Sequence, residues 1–254
     1  MAEQFAHLHV HTEYSMLDGA AHVGPLVEAA VEQGMPAIAM TDHGNVFGAF
    51  DFWSKATAAG IKPIIGMEAY VTPGTHRSDR TRVRWGDDAG GDDVSGGGSY
   101  THMTLLAQST AGMHNLFRMA SLASMEGYYF KPRLDRELLA RYSDGIIATT
   151  GCVGGEVQTR LRLGQYDEAK KAAAELRDIF GKESFFAEVM DHGIDVERRT
   201  MGDLLRLAKE LDLPLVATND LHYTHASDAT AHSALLCVQS GTTLHDPKRF
   251  KFDG

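Results

Sequence analysis

Seven short apolar runs, separated by amphipathic stretches, restrict this chain to a small set of folds. The runs span 6–12, 37–42, 63–71, 102–108, 145–150, 185–190 and 215–219, and they are rich in Ile, Val, Leu and Phe. Runs this short, bounded by Gly, Pro or Asp, predict strands. Helical spacing occupies 25–33, 49–59, 115–125, 156–163, 166–180 and 196–211 between them. In the last, Leu204, Leu205, Leu207, Ala208 and Leu211 are expected to form one apolar stripe. Strands alternating with helices predict an α/β architecture with a parallel sheet, open or closed into a barrel. The uninterrupted Ala37-Ile38-Ala39-Met40 suits a sheet covered on both faces. No run approaches the roughly 20 apolar residues of a membrane span.

Metal-type side chains sit at the ends of these runs. In an extended strand His9 and His11 project from one face, and Asp220 and His222 repeat the same two-residue step. His43 follows the second run, Glu68 lies late in the third, and Cys152 follows the fifth. In parallel α/β folds, sites are built at the C-terminal edge of the sheet, and a closed barrel converges them. His102 is the exception, because it opens its run; a short strand, or one that starts earlier, is expected there.

Asp18 completes nine candidates: His9, His11, Asp18, His43, Glu68, His102, Cys152, Asp220 and His222. Mixed imidazole, carboxylate and thiolate suits zinc, manganese or iron better than magnesium or calcium. Nine ligands exceed the need of one tetrahedral ion but serve two or three. Clustered metals stabilise attacking and leaving oxygens together and generate hydroxide from water at neutral pH, which points to phosphoester hydrolysis without a protein nucleophile. Each residue alone has a plainer reading. Asp18 before Gly19 makes a turn, Asp42 caps a helix, Glu68 pairs with an arginine, and Cys152 fills apolar space. Their placement after successive strands outweighs these separate readings. His192 is expected to contact substrate or the ligands, or else to make a turn. His225, His232 and His245 are expected on the surface or on helices, and Met113 to Met125 in the core.

Composition narrows the partners. With 34 acidic against 24 basic residues the formal charge is −10, which argues against a free-standing nucleic-acid binder relying on phosphate neutralisation. Two cysteines, Cys152 and Cys237, imply no disulfide scaffold and fit a reducing cytoplasm. The first residues lack a signal-peptide layout. No P-loop, G-x-G-x-x-G or G-x-S-x-G motif is present. Residues 75–100 carry Arg77, Arg80, Arg82 and Arg84, then Gly- and Asp-rich sequence, and are expected to form a long, mobile, non-core insertion, foremost a solvated loop, with arginines that guide a polyanion toward the site as the alternative. One domain over 1–241 is expected, with 242–254 as a connector.

His7-Leu8-His9-Val10-His11-Thr12, followed by Tyr14-Ser15-Met16-Leu17-Asp18-Gly19, resembles the opening of the polymerase and histidinol phosphatase (PHP) domain. It is most similar to the branch at the N-terminus of bacterial replicative DNA polymerase III alpha subunits. Thr41-Asp42-His43-Gly44-Asn45, Gly66-Met67-Glu68 and Asn219-Asp220-Leu221-His222-Tyr223 carry the same resemblance, which runs from about Phe5 to the end. It implies a distorted (β/α)7 barrel with the nine residues above as ligands at the C-terminal ends of the strands. It further implies two to three divalent metal ions, zinc foremost, with manganese or iron as alternatives. Cysteine at 152 replaces the histidine of some PHP phosphatases and suits the polymerase branch. Some alpha subunits have an eroded set; here all nine positions are filled. The resemblance therefore implies a metal-dependent 3′–5′ proofreading exonuclease, with Asp18, His43 and Asp220 catalytic through the metals. The alternatives are a phosphatase or pyrophosphatase on the same cluster, or a non-catalytic, metal-stabilised scaffold for the polymerase. Implied partners are the primer-template 3′ end, the polymerase core, and the sliding clamp and other replisome subunits through regions not in this sequence. No membrane is implied.

Overall fold

The structure is a computed structural model that describes residues 5–86 and 95–251. Among the described residues seven strands form one sheet: β1 (Ala37–Met40), β2 (Lys62–Val71), β3 (Thr101–Ala107), β4 (Arg133–Leu134), β5 (Ile146–Thr149), β6 (Phe185–Val189) and β7 (Leu215–Ala217). The order is β1-β2-β3-β5-β6-β7, with β4 paired to the end of β2. The pairs β1–β2, β5–β6 and β6–β7 are parallel, whereas β3 is antiparallel to both β2 and β5. Its reversal explains the anomaly at His102. The start of β3 lies at the same rim as the C-terminal ends of the parallel strands; the strand begins at Thr101, one residue before His102 as an earlier start required, but its direction is what puts His102 at that rim.

Residues 7–12, expected as a regular strand, instead close the sheet through scattered bonds. Ala39 and Thr41 donate backbone N–H bonds to the His7 and Val10 carbonyls at 2.9 and 2.8 Å. On the other side, His11 donates to the Leu221 carbonyl at 2.7 Å and Leu221 to the His9 carbonyl at 3.1 Å. Ladder pairing is interrupted because the Val10 N–H is taken by the Thr41 hydroxyl at 2.7 Å. The segment therefore joins β1 to the chain after β7, completing a distorted (β/α)7 barrel.

Among the described residues eight α-helices surround it: α1 (Val23–Glu32), α2 (Ala49–Ala58), α3 (Thr110–Glu126), α4 (Arg136–Arg141), α5 (Glu156–Arg162), α6 (Tyr166–Phe180), α7 (Asp195–Leu211) and α8 (Ala229–Ser240). The outward faces of the strands, with Met67, Leu105, Ala148 and Phe185, join Phe52, Leu116, Leu138 and Leu207 in the core. Each fully buried large side chain contributes about 1.5–3 kcal/mol. On α7, Leu204, Leu207 and Ala208 are buried, but Leu205 turns toward solvent. Met125, expected in the core, is exposed near the end of α3. Among the described residues no helix is long and apolar enough to cross a membrane.

The start of the 75–100 stretch is anchored, contrary to expectation. The Arg77 guanidinium meets Glu126 at 2.7 Å and Asp135 at 3.0 Å, so it is spent on structure. Trp85 is buried beneath the Arg160 guanidinium, 4.7 Å from its ring centre. Part of the expected mobile stretch, 87–94, lies outside the described residues.

Candidate metal centre

Along the barrel interior, side chains two residues apart form layers. Ile64, Leu106, Ile147, Phe186 and Val216 line an apolar cavity of about 250 Å³ at the lower mouth. One step up, Thr104, Thr149 and Thr218 surround the buried carboxylate of Glu188. Thr218 donates to it at 2.6 Å and Thr104 at 3.3 Å, with a further hydroxyl bond from Thr149. Above this layer the nine candidate residues meet.

His9 Nε2 lies 3.3 Å from His11 Nε2, and Asp220 Oδ1 lies 3.2 and 3.1 Å from those two nitrogens. Glu68 reaches His9 Nε2 at 3.4 Å, His43 Nδ1 at 2.6 Å and His102 Nδ1 at 3.0 Å. Cys152 Sγ is 3.3 Å from Glu68 Oε1, and Asp18 Oδ2 is 3.1 Å from His43 Nε2. The His222 ring stacks on that of His11 at 4.2 Å between centres. All nine thus converge. Three subsets each bring their donor atoms within 4.8 Å of one another: His9/His11/Asp220, His43/Glu68/His102 and His11/His43/His222.

The backbone aims these groups. Asp18 follows a turn in which Asp18 and Gly19 both donate to the Ser15 carbonyl. A Cβ at Gly19 would lie 1.9 Å from the Thr12 carbonyl oxygen, so the turn requires glycine. Asp42 is not a helix cap, since Gly48 precedes α2. Its carboxylate instead accepts from the Thr12 N–H at 2.7 Å and from the Thr12 and Ser15 hydroxyls at 2.8 and 2.7 Å, fixing that turn. Asp220 adopts φ 44°, a left-handed conformation costing about 1–2 kcal/mol for an L-residue. Such strain recurs where a side chain must be presented in one direction.

Outer partners set the imidazole tautomers. His9 Nδ1 donates to Glu188 at 2.8 Å, His11 Nδ1 to the Ser15 hydroxyl at 3.0 Å, and His222 Nδ1 to the Asp220 carbonyl at 2.7 Å. In each ring Nε2 is then the nitrogen able to offer a lone pair, an arrangement typical of metal-ligating histidines. His232, expected on the surface or a helix, is a buried α8 residue bonding the Asp18 carbonyl at 2.8 Å. His192 bridges Glu197 at 2.7 Å and the Asn219 carbonyl at 2.8 Å, bracing the chain just before Asp220.

Buried charge makes the cluster electrostatically tense. Burial disfavours the charged form of His43, but Glu68 and Asp18 outweigh it and push its pKa up to about 10. His11 drops to about 3 through burial and the neighbouring His43 and His222. Burial opposes ionisation of Asp18, yet His43 holds it at about 2. Burial raises the Cys152 thiol, reinforced by Glu68 and Asp220.

The donors suit a divalent cation on local grounds. Asp18 Oδ1, His43 Nδ1, Glu68 Oε2 and Asp220 Oδ1 are buried without a hydrogen-bond partner. His43 Nδ1 and Glu68 Oε2 are 2.6 Å apart yet misaligned for a bond. Two nitrogens sharing tetrahedral zinc at about 2.0–2.1 Å lie roughly 3.3 Å apart, matching the His9–His11 spacing. A fourth group, His76/Asp135/Glu137, lies apart from this cluster, with Arg77 already bonded to both carboxylates.

Sequence reasoning missed Glu188, His232 and the fully buried Arg133. An acid within Phe185-Phe186-Ala187-Glu188-Val189, two residues from an inward Phe, was the available signal for the first.

Comparison with known proteins gives a consistent picture. The PHP domain profile matches residues 7–192. DNA polymerase III subunit alpha of Saccharopolyspora erythraea is 60% identical over 260 residues, covering 99% of this chain and 22% of that protein. The same subunit of Mycobacterium tuberculosis H37Rv is 56% identical over 252 residues, covering 98% and 21% respectively. The chain thus spans about a fifth of the length of these curated relatives. An amidohydrolase structure from Chromobacterium violaceum superposes with a TM-score of 0.51 at 13% identity, covering 86% of this chain and 87% of that one, a likeness of fold.

Proposed function

The chain belongs to the PHP domain family, and from that premise we propose that it is the metal-dependent 3′–5′ proofreading exonuclease domain of a replicative DNA polymerase III alpha subunit. The observation that carries this reading is the convergence of four orphaned buried donor atoms, on Asp18, His43, Glu68 and Asp220, within one nine-residue cluster. His9, His11, Asp18, His43, Glu68, His102, Cys152, Asp220 and His222 would hold two to three divalent ions, zinc foremost, with manganese or iron as alternatives. When bound, such ions lower the pKa of water and neutralise charge on phosphoryl oxygens.

The chain's own residues orient the reaction. Glu188 and Ser15 hold the Nδ1 protons of His9 and His11, keeping the opposite nitrogens available. Asp18, His43 and Asp220 are each partly exposed at the cluster, and Asp220 approaches both His9 and His11, so these three are assigned as catalytic. Water adds to the terminal phosphorus with loss of a proton, the penultimate 3′-oxygen leaves and takes up a proton to become a hydroxyl, and a nucleoside 5′-monophosphate departs. The primer-template 3′ end and the polymerase core are the proposed partners; clamp and other replisome contacts would belong to parts of the relatives outside the matched share.

Metal-replete wild type and Asp220→Asn, presented with a mispaired primer, test the assignment. Shortening by wild type alone is expected. Equal shortening by both would refute the site. Hydrolysis of small phosphomonoesters but not of the primer would favour the phosphatase alternative, and no hydrolysis with metals bound would favour the scaffold.

A further inference from the structure

The metal cluster opens sideways into a pocket of about 360 Å³, with Asp18 and His43 among its lining residues. Phe47, Tyr128 and Phe130 also line it and are each more than 60% exposed. A soluble protein rarely leaves several large rings open around one concavity without a use for them.

These rings are held by buried anchors. Phe130 has φ 61°, the left-handed region that a bulky residue avoids. Its neighbour Tyr129 bonds across the turn to the Lys131 carbonyl at 3.1 Å, and its ring is faced by the Arg133 and Arg80 guanidinium groups at 5.1 and 5.8 Å. Arg133 is fully buried and donates to the carbonyls of Gly127, Ser99 and Arg77. On the opposite wall, Asn45 accepts the Phe47 N–H at 3.0 Å and donates to the His43 carbonyl at 2.9 Å. Both walls are therefore set before any ligand arrives. Lys131, the one lysine lining the pocket, lies 5.2 Å over the Tyr70 ring, and among the described residues no carboxylate pairs with it.

We propose that this pocket is a nucleobase-stacking subsite for the unpaired 3′-terminal nucleotides of a single strand, with Phe130, Tyr128 and Phe47 as stacking faces and Lys131 meeting a phosphate. The inference rests on the phosphodiesterase reading above. Continuity with the cluster requires an occupant that delivers a scissile bond to Asp18 and His43. An acidic chain with formal charge −10 cannot grip a duplex by phosphate neutralisation. Stacking remains as a source of affinity, and it tolerates any base, as removal of arbitrary mismatches requires. A duplex end hides the faces of its bases, so the site selects frayed ends over paired ones.

The test is fluorescence anisotropy of the metal-replete chain with a labelled single-stranded 12-mer whose terminal linkages are phosphorothioates. The same strand with abasic 3′-terminal positions is the control. Phe130→Asn removes the ring but tolerates the left-handed backbone, and Phe47→Ala changes an exposed ring that the core does not need. Each is expected to weaken binding of the normal strand by about 5- to 100-fold and to leave the abasic strand unaffected, while Tyr128→Phe binds like wild type. Wild-type affinity in the ring-deleted variants, equal losses on both strands, or no binding by wild type would overturn the subsite. If full-length protein buries these rings against its own polypeptide, shown by loss of Tyr128 labelling, the pocket is a protein contact and the proposal fails. Intact base-dependent binding without primer hydrolysis would instead sink the exonuclease reading alone. Hydrolysis with unaltered variant binding would sink only the subsite.

Discussion

On β3, His102, Thr104 and Leu106 stand at successive two-residue steps. The first joins a cluster of metal-type donors, the second holds a buried carboxylate, and the third lines an apolar cavity. On the opposite side of the barrel Asp220, Thr218 and Val216 repeat the series. The two mouths share strands and register, yet the upper one concentrates buried charge, whereas the one charged side chain among the described residues lining the lower cavity, Lys62, is exposed. The threonine–Glu188 layer separates them. Its hydroxyls hold the Glu188 carboxylate, which fixes the His9 tautomer above, so the polar end is organised from below.

That contrast predicts a gradient of effects. Leu105→Ala, in the packed outer wall, is expected to cost about 3–5 kcal/mol. The adjacent Leu106→Ala faces the existing cavity and should cost nearer 2 kcal/mol. Urea denaturation of both variants checks this, and equal losses would mean that the lower mouth is packed as tightly as the wall.

Glu188→Gln keeps volume but replaces the carboxylate. A 10- to 100-fold loss of metal affinity is expected, measured by competition with a chromogenic chelator. Unchanged affinity would show that the middle layer does not organise the upper one.

A smaller effect tests whether the Arg77–Asp135 anchor, apart from the cluster, relies on ordinary ion pairing. Burial works against ionisation of Asp135, but N–H bonds from Leu138 and Arg77 and the Arg77 charge hold its pKa below the ordinary carboxylate value. Because the folded pKa is depressed, its contribution is present above about pH 4 and is lost as pH falls through the folded value. Asp135 also caps α4. Asparagine caps a helix as well as aspartate does, so Asp135→Asn isolates the charged bond to Arg77 and should cost about 1 kcal/mol at pH 7, with the gap to wild type closing in acid. A gap independent of pH would assign the loss to packing. Smallest of all, Val216→Ile extends into the lower cavity and should change stability by less than about 1 kcal/mol, read as a melting-temperature shift.

Much of this arrangement was legible in the sequence because it follows strand ends. The α6 limits were read in full from the 3.6-residue period, and the nine donors from their positions around apolar runs. What escaped depends on contacts distant in sequence. β4 is only Arg133–Leu134, too short for any period, and owes its place to pairing with Tyr70 and Val71. The reversal of β3 leaves no mark in composition. Arg77 read as a steering charge because Glu126 and Asp135, its partners, are far along the chain. Glu188 looked like one more acid until three threonines from other strands were seen around it.

The central claim is that the upper mouth is a divalent-metal centre assembled from the whole chain. Metal content of the purified wild type and Asp220→Asn, measured by elemental mass spectrometry after equilibration with limiting zinc, manganese and iron, tests it most directly. Two to three ions per wild-type chain and a clear loss in the folded variant are expected. Wild type that remains metal-free while folded, or a variant that retains the full complement, would contradict the account.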